Sequence, residues 1–306
     1  MNTDDGGSFC GMFWSEKHNF IVVTFKGTTP SNFIEWLNNA TFQCVDARTY
    51  LFGQVHKGFY NYLFPSDDEI VGKNYPCQKI FEAIDCKASS IYSKRGGKVN
   101  VWITGHSLGG ALAALFYARL LRTRYDENKD KDEDKGKDWV LREAITFAAP
   151  AIGDHHFAAE LAYLVREPRN VKKPLRRIVL KEDVVPKLPH RACDKRMKKY
   201  GYNYNVLMNY SQVGEKIIFK GGDKEPLSFE EFFTSTSDNN LQSYCDRYKK
   251  RHVIRKMIKR NIKNLRIITR LIRMIKSHSV NGYFKALAEY ETVLVKRFKP
   301  ENYSNV

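Results

Sequence analysis

No run of about 18 uncharged apolar residues occurs in this 306-residue chain, and that absence excludes a membrane-spanning helix. The segment Met1 to Gly7 holds two aspartates and no basic stretch followed by apolar residues, so no secretory signal is expected. Cysteine is sparse: Cys10, Cys44, Cys77, Cys86, Cys193 and Cys245 are scattered with no C-x-x-C spacing. A zinc site or redox motif is therefore not expected, nor any other metal or cofactor, and free thiols in a reducing compartment are. These absences together predict a cytoplasmic or peripherally membrane-associated protein.

Acid is missing altogether from Arg247 to Lys276, which carry thirteen Lys or Arg. The chain has 51 basic and 34 acidic residues for a net charge of +17, so outside that segment 38 basic face 34 acidic residues. The excess is local. A basic balance of this size suits nucleic acid or an anionic membrane surface. No aromatic platform or recognised nucleic-acid motif accompanies it, so no nucleic-acid partner is expected. Ile254, Ile258, Ile262, Leu265, Ile268, Ile272 and Ile275 recur at three and four residues, which is one face of a helix. Residues 241–276 thus read as an inserted basic amphipathic helix, able either to lie in an anionic membrane interface or to pack on the body with a solvated basic face.

The remainder has the 42% hydrophobic content of a globular chain and alternates strand and helix patterns. Ser8 to Trp14 and the β-branched and aromatic run Asn19 to Lys26 suggest a hairpin ending at Gly27. Ser31 to Asn38 reads as a short amphipathic helix after Pro30, with Phe33, Ile34 and Leu37 on one face and Trp36 at its flank. A helix pattern at Gln78 to Lys94 precedes a strand from Val99 to Thr104. Asp126 to Asp138 contains seven acidic and four basic residues and nothing apolar, which reads as a solvated insertion. Strands follow at Ala144 to Ala149 and Leu175 to Leu180, with a helix from Asp154 to Leu164 between them. This alternation predicts a mostly parallel sheet in a single α/β domain over residues 1–306.

Between the strand at Val99 and the small-residue stretch Gly110 to Leu121 stands Gly105-His106-Ser107-Leu108-Gly109. Strand, sharp turn and helix with serine at the apex is the setting of a nucleophile elbow, where flanking glycines let the strand and helix backbones approach. The bland alternative is a helix-capping serine in an ordinary turn. A nucleophilic serine needs a base within hydrogen-bond reach and a carboxylate to orient that base. Asp183 directly follows a strand, where parallel sheets carry functional groups. Of the histidines after it, His190 is only seven residues away and His252 lies inside the basic run. His278, just before a helix pattern at Gly282 to Tyr290, is the preferred base. His106, beside the serine, reads as a packing residue. The backbone N–H of Leu108 is one oxyanion donor, and Thr28, after the early strand, offers a second.

Seven blocks carry a resemblance to a known family: I-V-V-T-F-K-G-T-T at 21–29, W-L-N at 36–38, V-H-K-G-F at 55–59, V-W-I-T-G-H-S-L-G-G-A-L-A at 101–113, T-F-A-A-P-A-I-G at 146–153, E-D-V-V-P-K-L-P at 182–189 and H-S-V-N-G-Y at 278–283. In this order they resemble the class 3 lipases, fungal-type triacylglycerol lipases of the α/β-hydrolase fold. The resemblance implies a mostly parallel central sheet with helices on both faces, and a triad of Ser107, Asp183 and His278. It also implies an oxyanion hole at Thr28 and Leu108 and an interfacial lid carrying Phe33, Ile34, Trp36 and Leu37. The implied activity is hydrolysis of lipid carboxylic esters, with triacylglycerol, phospholipid or mono- and diacylglycerol as substrate. A silent membrane-binding relative is the non-enzymatic alternative. Two departures stand out: Gln212 where the family's strand usually carries histidine, and Lys26 where arginine is common before Gly-Thr. The region upstream of Phe9 is also shorter than in the secreted fungal enzymes.

Overall fold

A computed structural model describes residues 10–27, 43–64, 75–127, 137–166, 174–187, 210–219, 228–231 and 277–289. Strands β1 (Cys10–Ser15) and β2 (Phe20–Phe25) form the expected antiparallel hairpin. β2 then pairs in parallel with β5 (Val99–His106), which continues through β6 (Trp139–Phe147) and β7 (Leu175–Leu180) to β8 (Glu215–Phe219). Antiparallel β9 (Ser228–Glu231) closes a seven-stranded sheet in the order β1-β2-β5-β6-β7-β8-β9. A separate ribbon pairs β3 (Cys44–Asp46) with β4 (Gln54–His56).

Helix α1 (Lys57–Asn61) follows β4, α2 (Pro76–Arg95) precedes β5, and α3 (Leu108–Glu127) follows it. α4 (His155–Arg166) links β6 to β7, and α5 (Val280–Glu289) closes the described part. α2 opens on Pro76, where its missing N–H costs nothing, and ends at Gly96 with φ 67. The strand from Val99 and the helices at 76–95 and 155–166 lie where the sequence pattern put them. The helix after the elbow runs further than expected, to Glu127. Asp126 therefore sits on a helical turn, paired with Arg122 at 3.5 Å, and is not part of a loop. At the other end of the charged stretch Lys137 meets Asp85 at 2.8 Å, so both ends are tied to the body.

Two apolar clusters hold the sheet. The larger one packs β2 and β5 (Ile21, Val23, Val101, Ile103) against α2, α3 and α4. α3 is buried along most of its length, from Ala111 to Ala118, because its Gly and Ala side chains let it lie close on the strands. The second cluster joins Ile178, Leu180, Ile217 and Phe219 to Tyr283 and Ala286 of α5. Leu175 belongs to the first cluster and Ile178 with Leu180 to the second, an odd and even split along β7. Successive strand residues face opposite sides, so α5 covers the face of the sheet opposite α3. Helices on both faces follow from that alternation.

Candidate active site

β5 ends at His106 and α3 begins at Leu108, so one residue, Ser107, makes the whole turn. It does so at φ 59, a left-handed conformation that a residue bearing a Cβ holds only under strain. The surrounding glycines explain how the turn is kept. A Cβ on Gly105 would stand 2.2 Å from the Gly109 carbonyl oxygen, and one on Gly109 would stand 2.0 Å from that of Phe25. A Cβ on Gly27 would reach 2.6 Å from the His106 oxygen. Strand β5, helix α3 and the end of β2 are therefore pressed backbone against backbone around the serine. Its own N–H donates to the Phe147 carbonyl at 2.9 Å, which fixes the turn to β6.

Asp183 lies in the turn after β7 and is fully buried. Its N–H donates to the Leu180 carbonyl at 3.0 Å, and its Oδ1 accepts the Val185 N–H at 2.9 Å. Oδ2 is left facing His278. The His278 Nδ1 lies 2.9 Å from Asp183 Oδ2, and its Nε2 lies 2.8 Å from Ser107 Oγ. A carboxylate can only accept, so the tautomer this network assigns has Nδ1–H donating to Asp183 and Nε2 accepting the serine proton. Residues 107, 183 and 278 thus come into one hydrogen-bonded line from separations of 95 and 171 positions. Such a line can withdraw the hydroxyl proton, hold the resulting imidazolium and return the proton to a leaving group.

Leu108 is the first residue of α3, in the turn whose N–H groups have no intrahelical acceptor. Thr28 and the residues expected to form a lid, Phe33, Ile34, Trp36 and Leu37, lie outside the described residues, as do His190, His252 and the basic segment Arg247 to Lys276. Gly27, one residue before Thr28, touches the elbow. Among the described residues no cluster of three His, Cys, Asp or Glu side chains is arranged to hold a metal ion. No helix among them is long and apolar enough to cross a membrane. Cys10, Cys44, Cys77 and Cys86 are free thiols; Cys193 and Cys245 fall outside the described residues.

Two residues have roles that the sequence pattern does not announce. The Tyr283 hydroxyl donates to Asp183 Oδ2 at 2.8 Å and accepts the Leu180 N–H at 3.0 Å, so it bridges the acid to the strand behind it. Burial, followed by the charge of Asp183, holds its phenol well above the ordinary tyrosine range, as a neutral donor. Its only sequence signal is its place five residues after His278. Gln212 also braces the acid. Its side-chain amide donates to the Pro186 carbonyl at 2.8 Å and so ties the acid turn to the entry of β8.

A mostly parallel sheet with helices on both faces, and a serine raised on a strand-turn-helix elbow, define an α/β-hydrolase fold. The native propeptide complex of Rhizomucor miehei lipase shares that fold with a TM-score of 0.50 at 22% identity, over 77% of this chain and 60% of that one. The sequence profile of the class 3 lipases matches residues 22–192, more than half of the chain, and the chain belongs to that family. Phospholipase A1-IIgamma of Arabidopsis thaliana is 28% identical over 146 residues, 45% of this chain and 32% of the relative. Triacylglycerol lipase OBL1 of the same plant is 25% identical over 203 residues, 60% and 36% of the two chains. The chain thus spans about a third of the length of these curated relatives.

Proposed function

We propose that this chain hydrolyses carboxylic esters of lipids through an acyl-enzyme on Ser107. The observation that carries this reading is the unbroken line from Ser107 Oγ through both His278 nitrogens to a buried Asp183, at 2.8 and 2.9 Å. His278 takes the serine proton as Oγ attacks the ester carbonyl, and gives it to the leaving alcohol. A water then attacks the acyl-enzyme by the same path in reverse. Asp183 holds the imidazole and offsets its charge, while Leu108 N–H and Thr28 receive the oxyanion. Phe33, Ile34, Trp36 and Leu37 form the lid over this mouth, and the basic segment Arg247 to Lys276 holds the enzyme at an anionic lipid surface. No cofactor takes part.

The family and the relative named a triacylglycerol lipase support an acylglycerol substrate. The relative named a phospholipase A1 supports a second reading, in which the scissile ester belongs to a phospholipid. Labelling with a fluorescent fluorophosphonate, beside Ser107→Ala and His278→Ala, tests the mechanism. Wild-type labelling that both variants lose is the expected result. Labelling of Ser107→Ala equal to wild type sinks it. Fatty acid released from triolein emulsion against that from phosphatidylcholine vesicles then separates the two substrates.

A further inference from the structure

The preferred base reaches the site from far along the chain, yet its ring is held within 2.8 Å of the nucleophile. Asp183 fixes one nitrogen and the other meets Ser107 Oγ, the atom that reacts, so alignment through turnover calls for support that does not itself react. Such a contact comes from beside the serine itself. The His106 ring stands 5.0 Å from that of His278, centre to centre and tilted by 36°. The same ring meets Tyr283 edge-on at 5.6 Å, and Tyr283 holds Asp183. His106 therefore touches both the base and the residue that anchors the acid. It belongs to β5, the strand that ends in the elbow, so this support moves with the nucleophile as one rigid piece.

The chemistry of the ring fits a neutral support. His106 Nε2 is buried with no hydrogen-bond partner among the described residues, which a lone pair tolerates and an N–H of a charged ring does not. Burial first, then the neighbouring His278, lowers its pKa to about 4, against the opposing pull of Asp183 and of the His278 backbone. It stays uncharged while His278 gains and loses its proton, and so places no like charge beside the imidazolium. His278, Asp183 and Tyr283 are the titratable groups that face it among the described residues.

We infer that His106 is a positioning residue, which sets the His278 ring in line between Ser107 and Asp183 by ring contact from the nucleophile's own strand. This rests on His278 being the base. Misalignment of a base by about 1 Å can cost as much as 100-fold, with substrate binding untouched.

The test compares His106→Ala and His106→Phe with wild type and His278→Ala. The readouts are kcat and KM for a short-chain ester, circular dichroism for folding, and the downfield proton resonance of the His278 to Asp183 hydrogen bond. His106→Ala should fold, lose roughly 10- to 100-fold in kcat with KM within twofold, and lose or shift the resonance. His106→Phe, which restores a ring, should recover most of both. A folded His106→Ala within twofold of the wild-type kcat overturns the inference, as does a fall in kcat with the resonance unmoved. If alanine does not fold, His106→Leu, which fills the volume without a ring, decides. A perturbed resonance with three- to tenfold lower kcat supports positioning, and wild-type behaviour reduces His106 to packing. If His278→Ala keeps full activity, the reading of the base fails first and separately.

Discussion

Ser107 and its two hydrogen-bonded partners, His278 and Asp183, are held by different physics. Ser107 stands on the larger apolar cluster, in a turn enforced by backbone contacts at Gly27, Gly105 and Gly109 that leave no room for a Cβ. Asp183 and His278 stand beside the smaller cluster, where Tyr283 and the carbonyl and N–H groups of the acid turn hold them by hydrogen bonds. Steric exclusion is all or none, so one side should fail by misfolding. Hydrogen bonds are graded, so the other should fail by losing rate while the fold survives.

The largest effect expected is on the graded side. Asp183→Asn keeps an oxygen for the Val185 N–H but cannot enforce the Nδ1–H tautomer, so kcat should fall on the order of 10⁴-fold with an unchanged melting curve. A loss below tenfold would mean that Asp183 does not orient the base. Gly109→Ala attacks the steric side. Its methyl would lie 2.0 Å from the Phe25 oxygen, so unfolding in urea should show a loss of about 3 kcal/mol or more. A variant as stable as wild type would show that the elbow can yield, and the contrast between the two regions would go.

Acid sensitivity sharpens the comparison from outside the site. His56, buried at the start of α1, accepts the N–H groups of Gly58 and Phe59 on Nδ1, and burial lowers its pKa to about 4. In the unfolded chain it titrates near the ordinary value of about 6.5, so the unfolded state binds more protons below that pH. Its stabilisation is full above 6.5 and is lost as pH falls toward 4, on the order of 3 kcal/mol. His106 adds a similar slope from the site itself. His56→Asn keeps a capping acceptor that does not titrate, so the drop in urea midpoint from pH 6.5 to 4 should shrink by about half. An undiminished drop would put the acid lability elsewhere. The smallest effect belongs to Tyr283→Phe, which removes one of the bonds to Asp183 and leaves the Leu180 N–H without its acceptor. About a tenfold fall in kcat is expected, with about 1 kcal/mol of stability, and a fall in stability alone would make Tyr283 a packing residue.

The elbow was legible because steric requirements appear as residue types at fixed spacing: Gly105, Ser107 and Gly109 point to the turn once a strand pattern precedes them and a small-residue helix pattern follows. The strand at Leu175 and the helix at 155–166 were legible through their apolar periodicity. The end of α3 was not, because Asp126 and Glu127 are polar and their helical state comes from continuing a buried helix, where Asp126 pairs with Arg122. Asp183 could be ranked because it directly follows a strand, and His278 because the other histidines after that acid, His190 and His252, stand in poorer contexts. Their alignment could not be read, because it depends on β7 and α5 meeting across the sheet.

By itself the sequence determined the periodic elements, the glycine-framed serine, the family, and the concentration of positive charge in one segment. These are properties of neighbouring residues, written within a few positions of one another. Tertiary structure alone decided that Oγ, both imidazole nitrogens and the carboxylate form one line. It also decided that Tyr283 secures the acid, and that the His106 ring lies against that of His278. Each of those contacts joins residues about a hundred or more positions apart, and a distance of 2.8 Å between such atoms is set by how the strands pack, not by the local chain.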